Sequence, residues 1–131
     1  MTASLQNAAA PLVILLVEDE PMLRQVVALT LKGEGFVVVE AGDGSAGLEI
    51  LKSDKAIDVL LTDVRMPGLN GYQLAVSALT LRPRMPVILM TGYADDEIPD
   101  AIRQAKIPMI RKPFNFAKLG GSIREIVSSR A

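Results

Sequence analysis

Short runs of apolar residues recur along the chain, and the segments between them have a different hydrophobic spacing. Five runs are rich in Val, Ile and Leu and too short for typical helices, so each predicts a β-strand. They lie at residues 12–17, 36–39, 59–61, 87–90 and 108–110. Because hydrophobicity within a run is continuous rather than alternating, the pattern predicts strands buried on both faces, as in a parallel sheet covered by helices.

The segments between the runs have the spacing of amphipathic helices, as Leu23, Val27 and Leu31 show in the first of them. Five strands alternating with five helices, joined by right-handed crossovers, predict an α/β fold, a doubly wound (βα)5 three-layer sandwich. In such a sheet, ligands bind beyond the carboxyl ends of the strands.

The last helix is expected to begin near Asn115, because asparagine often caps helices. Its predicted buried stripe consists of Phe116, Leu119, Ile123, Ile126 and Val127. The same helix contains Gly120 and Gly121, each costing about 1 kcal/mol relative to alanine. The sequence leaves three interpretations open for these glycines: fraying, a kink, or close packing against bare backbone.

Composition places these elements in one domain, since a chain of 131 residues, half of them apolar, buries roughly two-thirds of its unfolded surface. We expect a flexible lead-in at residues 1–10, which carry no charge, and one folded domain at residues 11–131. The longest apolar stretch, residues 8–17, falls short of the roughly 20 residues of a membrane span. A secretory signal requires basic residues before its apolar stretch, and none precedes this one. A cytoplasmic location without membrane contact is therefore expected.

The sequence contains no cysteine and no histidine. Disulfides, thiolate nucleophiles and Cys-ligated metal sites are therefore excluded. An imidazole general base and a histidine phosphocarrier are excluded as well. Any chemistry must come from carboxylates, hydroxyls, lysine or a bound cofactor.

The charged residues are unevenly distributed. The formal net charge of −1 argues against nucleic acid as a direct partner. Residues 1–100 carry seven basic and fourteen acidic side chains, whereas residues 101–131 carry seven basic side chains and only Glu125 as an acid. A solvated basic face accounts for this asymmetry, and a docking surface for an acidic partner is the alternative.

Polar side chains follow four of the predicted strands and should meet at the carboxyl edge of the sheet. Glu18 and Asp19 follow the first strand, Asp63 the third, Thr91 the fourth and Lys112 the fifth. Carboxylates about 4 Å apart repel by roughly 4 kcal/mol per pair at an effective dielectric near 20, so the cluster needs a cation. Mg²⁺, with Mn²⁺ as a substitute, prefers hard oxygen ligands. Singly these residues would be caps, turn hydroxyls or solvated lysines, but together they favour a functional site.

Four motifs, in this order, resemble the receiver domains of two-component response regulators, and the resemblance extends over nearly the whole chain. The motifs are Ile14-Leu-Leu-Val-Glu-Asp-Glu-Pro21, Leu61-Thr-Asp-Val-Arg-Met-Pro-Gly-Leu-Asn-Gly71, Met90-Thr-Gly-Tyr-Ala94 and Arg111-Lys-Pro-Phe114. The resemblance implies a CheY-like, flavodoxin-like parallel sheet with strand order 2-1-3-4-5, and a cis bond between Lys112 and Pro113. The second and third motifs look like receivers fused to hybrid sensor histidine kinases.

The resemblance implies a phosphoacceptor of a two-component phosphorelay. A partner histidine kinase or histidine phosphotransfer protein would donate the phosphoryl group, and the acyl phosphate would switch a binding surface for a downstream protein. The catalytic residues implied are Asp63 as phosphoacceptor, with Lys112 and Thr91 contacting phosphoryl oxygens. The Mg²⁺ ligands implied are Asp19, Asp63 and the backbone carbonyl of Arg65, with Glu18 assisting through water.

Three features depart from the family's pattern. The residue three before the lysine is usually Tyr or Phe and couples to the threonine, whereas here it is Met109, and Tyr93 is the alternative aromatic residue. Pro99, after the acidic residues 95–97, predicts a short fourth helix that begins near it. Glu18 stands where Asp is frequent, and its side chain reaches further.

Three other functions are alternatives to the receiver. An aspartyl-phosphate-forming phosphatase would carry a second acid two residues after its nucleophile, where this chain has Arg65. A flavin-binding carrier needs phosphate donors in the first turn, where residues 18–20 are all acidic. A degenerate receiver would keep the fold as a scaffold without phosphorylation. As a receiver, the domain is not expected to be an enzyme beyond catalysing its own phosphorylation and dephosphorylation.

Overall fold

Five strands and five helices alternate along the part of the chain that the structure describes. The computed structural model describes residues 10–92 and 97–129. The strands are β1 (Val13–Val17), β2 (Val37–Ala41), β3 (Val59–Asp63), β4 (Val87–Thr91) and β5 (Met109–Arg111). The helices are α1 (Pro21–Gly33), α2 (Gly44–Lys52), α3 (Gly71–Leu81), α4 (Asp100–Gln104) and α5 (Phe116–Ser129). All five predicted strands are confirmed, each to within two residues. Of the predicted lead-in, only residue 10 is described.

The strands form one parallel sheet in the order β2-β1-β3-β4-β5. In its centre, Leu15 of β1 is in register with Val39 of β2 on one side and with Leu60 of β3 on the other. The doubly wound sheet with order 2-1-3-4-5 is therefore confirmed. Its carboxyl ends all point to one edge, which is where the candidate residues lie.

Helices cover both faces of the sheet and bury two hydrophobic clusters. Leu15 and Val17 of β1 point into the cluster beneath α2, α3 and α4. Ile14 and Leu16 point into the cluster beneath α1 and α5. All four side chains are fully buried, which explains why the strand is apolar throughout rather than at alternate positions.

Helix α5 begins as predicted, but its stripe is buried over a shorter length. The Asn115 side chain accepts a hydrogen bond from the backbone N–H of Ala117 at 2.9 Å, as an N-cap does. Leu119 and Ile123 are buried. Phe116 is 36% exposed, so its predicted burial is wrong. It lies in the first turn of α5 and packs edge-on against Phe114, with ring centroids 5.1 Å apart, rather than under the helix.

The two glycines of α5 have different surroundings. The helix continues without a break through both of them. A Cβ atom on Gly120 would overlap the carboxylate of Glu34 and lie 3.2 Å from the Phe36 ring, whereas a Cβ on Gly121 would meet nothing within 4 Å. Of the three interpretations left open by the sequence, close packing therefore holds for Gly120.

Helix α4 is short, as Pro99 predicts. It spans five residues after Pro99 at its N-cap position, and Ile102 is its buried residue. Residues 95 and 96 of the acidic run lie outside the described part of the chain. Within the described ranges, no helix combines the length and the apolarity that crossing a membrane would require.

Candidate functional site

The carboxyl ends of four strands bring the predicted polar residues to one edge of the sheet. Asp63 and Thr91 are the last residues of β3 and β4, Glu18 and Asp19 follow β1, and Lys112 follows β5. The ammonium nitrogen of Lys112 lies 3.2 Å from Glu18 Oε1 and 3.2 Å from Asp63 Oδ1. Residues 45 or more positions apart in sequence thus share one positive charge.

Two of the acids that contact this lysine form a cluster with a third carboxylate. Oxygen atoms of Glu18, Asp19 and Asp63 all lie within 4.8 Å of one another. Glu18 and Asp63 are buried, and Asp19 is half-buried. Ligands of this kind, hard oxygens without nitrogen or sulfur, fit Mg²⁺ or Mn²⁺, so the residues present fit the metal that the sequence implied.

Burial and neighbouring charges perturb two of these groups. Burial raises the pKa of Glu18 to about 7, and the Asp63 charge acts in the same direction, while hydrogen bonds from Glu20 N–H and Lys112 oppose the shift. Burial by itself would lower the pKa of Lys112, but the charges of Asp63 and Glu18 outweigh it and raise the pKa. Lys112 therefore carries its positive charge at neutral pH.

Asp63 is hydrogen-bonded by its two neighbours in sequence, and the start of α3 packs closely against it. Its Oδ1 atom accepts a hydrogen bond from Val64 N–H at 2.9 Å, and the Thr62 hydroxyl donates to its carbonyl oxygen at 3.0 Å. A Cβ atom on Gly71 would overlap the Asp63 carbonyl oxygen and lie 2.7 Å from Val64 Cα. Only glycine lets α3 begin this close to Asp63.

The remaining predicted site residues lie at the same edge or in the adjoining strand. Thr91 is buried, and its backbone oxygen accepts a hydrogen bond from Lys112 N–H at 2.8 Å. Arg65 follows β3 in the loop that leads to α3, with its side chain exposed. Met109 is half-buried and packs against the cluster beneath α2, α3 and α4. Tyr93 lies outside the described residues. The predicted cis bond between Lys112 and Pro113 is confirmed.

Arg24 contacts the acidic loop, and sequence reasoning missed it. Its guanidinium Nη1 donates to the backbone oxygen of Glu18 at 2.8 Å, and its Nε lies 3.5 Å from Glu40 Oε1. Nothing in the helical spacing of α1 marks this residue, and its ion pair with Glu40 depends on the neighbouring strand β2. The only signal available was a basic residue five positions after Asp19.

An apolar hollow of about 370 Å³ adjoins Lys112. It is lined by Leu23, Lys112, Pro113, Phe114 and Phe116. Beside it, helix α1 exposes three large apolar side chains at the spacing of a single helical face, namely Met22, Val26 and Leu29. The sequence did not identify this surface, because it combines residues from α1 with residues around β5.

A flavodoxin-like sheet with an acidic cluster and a lysine at its carboxyl edge defines the class of CheY-like signalling domains. The family model described as response regulator receiver domain matches residues 14–124. The chain therefore belongs to the receiver domain family of two-component response regulators. This membership favours the receiver over the phosphatase and the flavin-binding carrier considered from the sequence.

Individual relatives agree with this family. The transcriptional regulatory protein GlrR of Escherichia coli K12 is 34% identical over 124 residues, which cover 92% of this chain and 27% of GlrR. The response regulator protein FleR of Pseudomonas aeruginosa PAO1 is 39% identical over 109 residues, which cover 81% of this chain and 22% of FleR. The chain thus spans about a quarter of the length of these curated relatives.

A solved structure shows the same similarity in three dimensions. The crystal structure of a response regulator receiver protein from Sinorhizobium medicae WSM419 superposes with a TM-score of 0.78 at 31% sequence identity. The alignment covers 92% of this chain and 98% of that one. The similarity therefore extends over most of this chain and nearly all of that one.

Proposed function

We propose that Asp63 is the phosphoacceptor of this receiver domain. The observation that supports this role is the position of the Lys112 ammonium, 3.2 Å from Asp63 Oδ1, within a cluster of three carboxylates. A buried carboxylate beside a fixed cation, at the edge where parallel sheets bind ligands, is placed to accept a negatively charged group.

The donor supplies the histidine that this chain lacks. A carboxylate oxygen of Asp63 attacks the phosphorus of a phosphohistidine, so that a P–O bond forms while the P–N bond breaks and its electron pair returns to the imidazole. The product on this chain is an acyl phosphate. Lys112 neutralises charge on the transferred group, and Thr91 offers its hydroxyl to a phosphoryl oxygen.

Glu18, Asp19, Asp63 and the backbone carbonyl of Arg65 would hold the divalent ion, with Glu18 acting through water. Bound Mg²⁺, or Mn²⁺ in its place, offsets negative charge on the transferring phosphoryl oxygens. The residues of the chain would then have separate tasks: the acids would hold the ion, and Lys112 would contact the phosphoryl group. Residues 11–131 form the receiver in this proposal, and residues 1–10 are its lead-in.

The partner that donates the phosphoryl group is a histidine kinase or a histidine phosphotransfer protein. Such a donor must cover the carboxyl edge, and the apolar hollow beside Lys112 together with Met22 and Val26 of α1 lies next to that edge. We infer that these side chains contact the donor, since exposed apolar patches next to a reactive group are typical of protein interfaces.

The phosphorylated domain would act by binding rather than by turning over a substrate. The acyl phosphate would shift a two-state surface around β4 and β5 toward a downstream protein. Met109 of β5 lies in this surface, in register with Leu89 of β4, two residues before Thr91. Neither nucleic acid nor a membrane is a direct partner in this proposal, and the domain is placed in the cytoplasm.

Incubation with acetyl phosphate and Mg²⁺, followed by intact mass measurement, tests the assignment. We expect one added phosphoryl group in the wild type and none in Asp63→Asn. Asp54→Asn is the matched control, because Asp54 is an exposed acid outside the cluster, and it should be labelled like the wild type. Labelling that persists in Asp63→Asn contradicts the assignment, and an unlabelled wild type would favour the degenerate scaffold.

A further inference from the structure

Arg24 makes two hydrogen bonds to the loop that carries the acidic residues. Its guanidinium Nη1 donates to the carbonyl oxygen of Glu18 at 2.8 Å, and its backbone N–H donates to the carbonyl oxygen of Glu20 at 2.9 Å. These two carbonyls flank Asp19 in sequence. The second bond is the first i→i−4 backbone bond of α1 and does not depend on the side chain at position 24. The Arg24 guanidinium therefore adds an anchor at Glu18, on the other side of Asp19.

The other side of the Arg24 guanidinium faces strand β2. Its Nε atom lies 3.5 Å from Glu40 Oε1, and the side chain is 23% exposed. The neighbouring residue of β2, Ala41, accepts a hydrogen bond from Glu18 N–H at 3.2 Å. The guanidinium thus bridges the end of β2 and the acidic loop, and Glu18 is held through both its N–H and its carbonyl group.

This anchoring opposes a force that the site itself creates. The carboxylates of Glu18, Asp19 and Asp63 lie within 4.8 Å of one another and repel each other when ionised. Asp63 belongs to a central strand and cannot retreat, whereas Glu18 and Asp19 lie in a loop. Without an anchor, the loop is the part that would move away.

We propose that Arg24 is a positioning residue of the phosphorylation site. It holds the loop of residues 18–20 so that Glu18 and Asp19 face Asp63, and it thereby sets the affinity for the divalent ion without touching the phosphoryl group. The proposal rests on the proposed function of Asp63. It predicts a loss of metal affinity that a high metal concentration overcomes.

Arg24→Gln tests the proposal, with Lys32→Gln as the matched control. Lys32 Nζ lies 3.8 Å from Glu40 Oε2, so the control removes a cation from the same glutamate and leaves the acidic loop untouched. Affinity for Mn²⁺ is measured by electron paramagnetic resonance of the free ion. Labelling of Asp63 by acetyl phosphate is measured over a range of Mg²⁺ concentrations.

In Arg24→Gln we expect Mn²⁺ affinity to fall about tenfold, the lower end of the loss seen when a group supporting a metal ligand is removed. The half-saturating Mg²⁺ concentration for labelling should rise by a similar factor, while the rate at saturating Mg²⁺ stays close to that of the wild type. Lys32→Gln should match the wild type in both measurements. If Arg24→Gln does not fold, Arg24→Lys replaces it, with an expected loss of about threefold because an ammonium lacks the fork of donors.

Unchanged Mn²⁺ affinity in the folded Arg24 variant overturns the proposal, as does an equal loss in Lys32→Gln. A labelling rate that stays low at saturating Mg²⁺ also overturns it, because Arg24 would then act in the chemical step. If the wild type binds Mn²⁺ but is not labelled, the assignment of Asp63 fails instead, and the Mn²⁺ measurement still decides the role of Arg24.

Discussion

At the scale of single residues, the site is organised around one cation. The single positive charge of Lys112 contacts Glu18 and Asp63, and a third acid, Asp19, lies within 4.8 Å of both of these carboxylates. The sequence alone indicated which residues would meet, because residues that end parallel strands lie on one edge. The sequence could not indicate that the Lys112 ammonium contacts both Glu18 and Asp63, since the position of Lys112 depends on how far β5 extends beside β4.

The acid cluster is expected to destabilise the domain when no divalent ion is present. Asp63→Asn, or Mg²⁺ added to the wild type, should therefore raise the thermal midpoint by several degrees, since about 1 kcal/mol corresponds to roughly 4 °C for a domain of this size. Differential scanning calorimetry with and without Mg²⁺ measures both effects. Repulsion among the acids would be the wrong explanation if neither change raised the midpoint.

At the scale of helices and strands, glycines decide how closely elements approach each other. Gly71 allows α3 to begin against Asp63, and Gly120 allows α5 to pack against Glu34 and Phe36. On the same helix, Arg124 stacks over the Phe36 ring at 4.1 Å and donates to the Glu34 carbonyl at 2.7 Å. The turn that joins α1 to β2 is therefore tied to α5 by a compact set of contacts.

The adjacent glycines of α5 provide a matched pair of substitutions. Gly121→Ala should stabilise the protein by about 0.5–1 kcal/mol, because it replaces a glycine inside a helix without meeting any neighbour. Gly120→Ala should lose that gain and cost about 1 kcal/mol or more, since Glu34 can swing away but the buried Phe36 ring cannot. Urea unfolding of the two variants gives the difference. Equal stabilisation by both alanines would show that α5 is not closely packed at Gly120.

At the scale of the whole molecule, the basic residues beyond position 100 do not all serve one surface. Lys112 faces the acid cluster and Arg124 packs on Phe36. Other basic side chains are exposed along α4, β5 and α5, namely Arg103, Lys106, Arg111 and Lys118. The charge asymmetry thus combines a half-buried lysine in the acid cluster, an arginine packed on an aromatic ring and a solvated surface. Docking of an acidic partner on that surface stays a prediction.

The apolar surface beside the site should affect transfer from a protein donor only. Met22 is 75% exposed, so the Met22→Asp variant should fold normally. It should slow phosphoryl transfer from a phosphorylated histidine phosphotransfer protein about tenfold, as expected for a charge buried in an interface. Labelling by acetyl phosphate should be unchanged, because this small donor needs no docking surface. Both rates are measured by intact mass over time.

Leu81→Asp is the control for this experiment. Leu81 is also exposed, but it ends α3 at the opposite end of the sheet from the site. Its variant should accept the phosphoryl group from both donors at wild-type rates. An equal slowing in both variants, or slowing of acetyl phosphate labelling by Met22→Asp, would contradict docking on α1.

The sequence by itself determined the strands, the order of polar residues and the family. Continuous apolar runs are a local property of buried parallel strands, and Glu18, Asp63 and Lys112 are placed by where those runs end. Tertiary structure decided the anchoring of the acidic loop by Arg24, the exposure of Phe116 and the apolar hollow beside Lys112. These features depend on which distant residues become neighbours when β2, α1 and α5 pack together, and hydrophobic periodicity within one segment carries no information about the side chains of another.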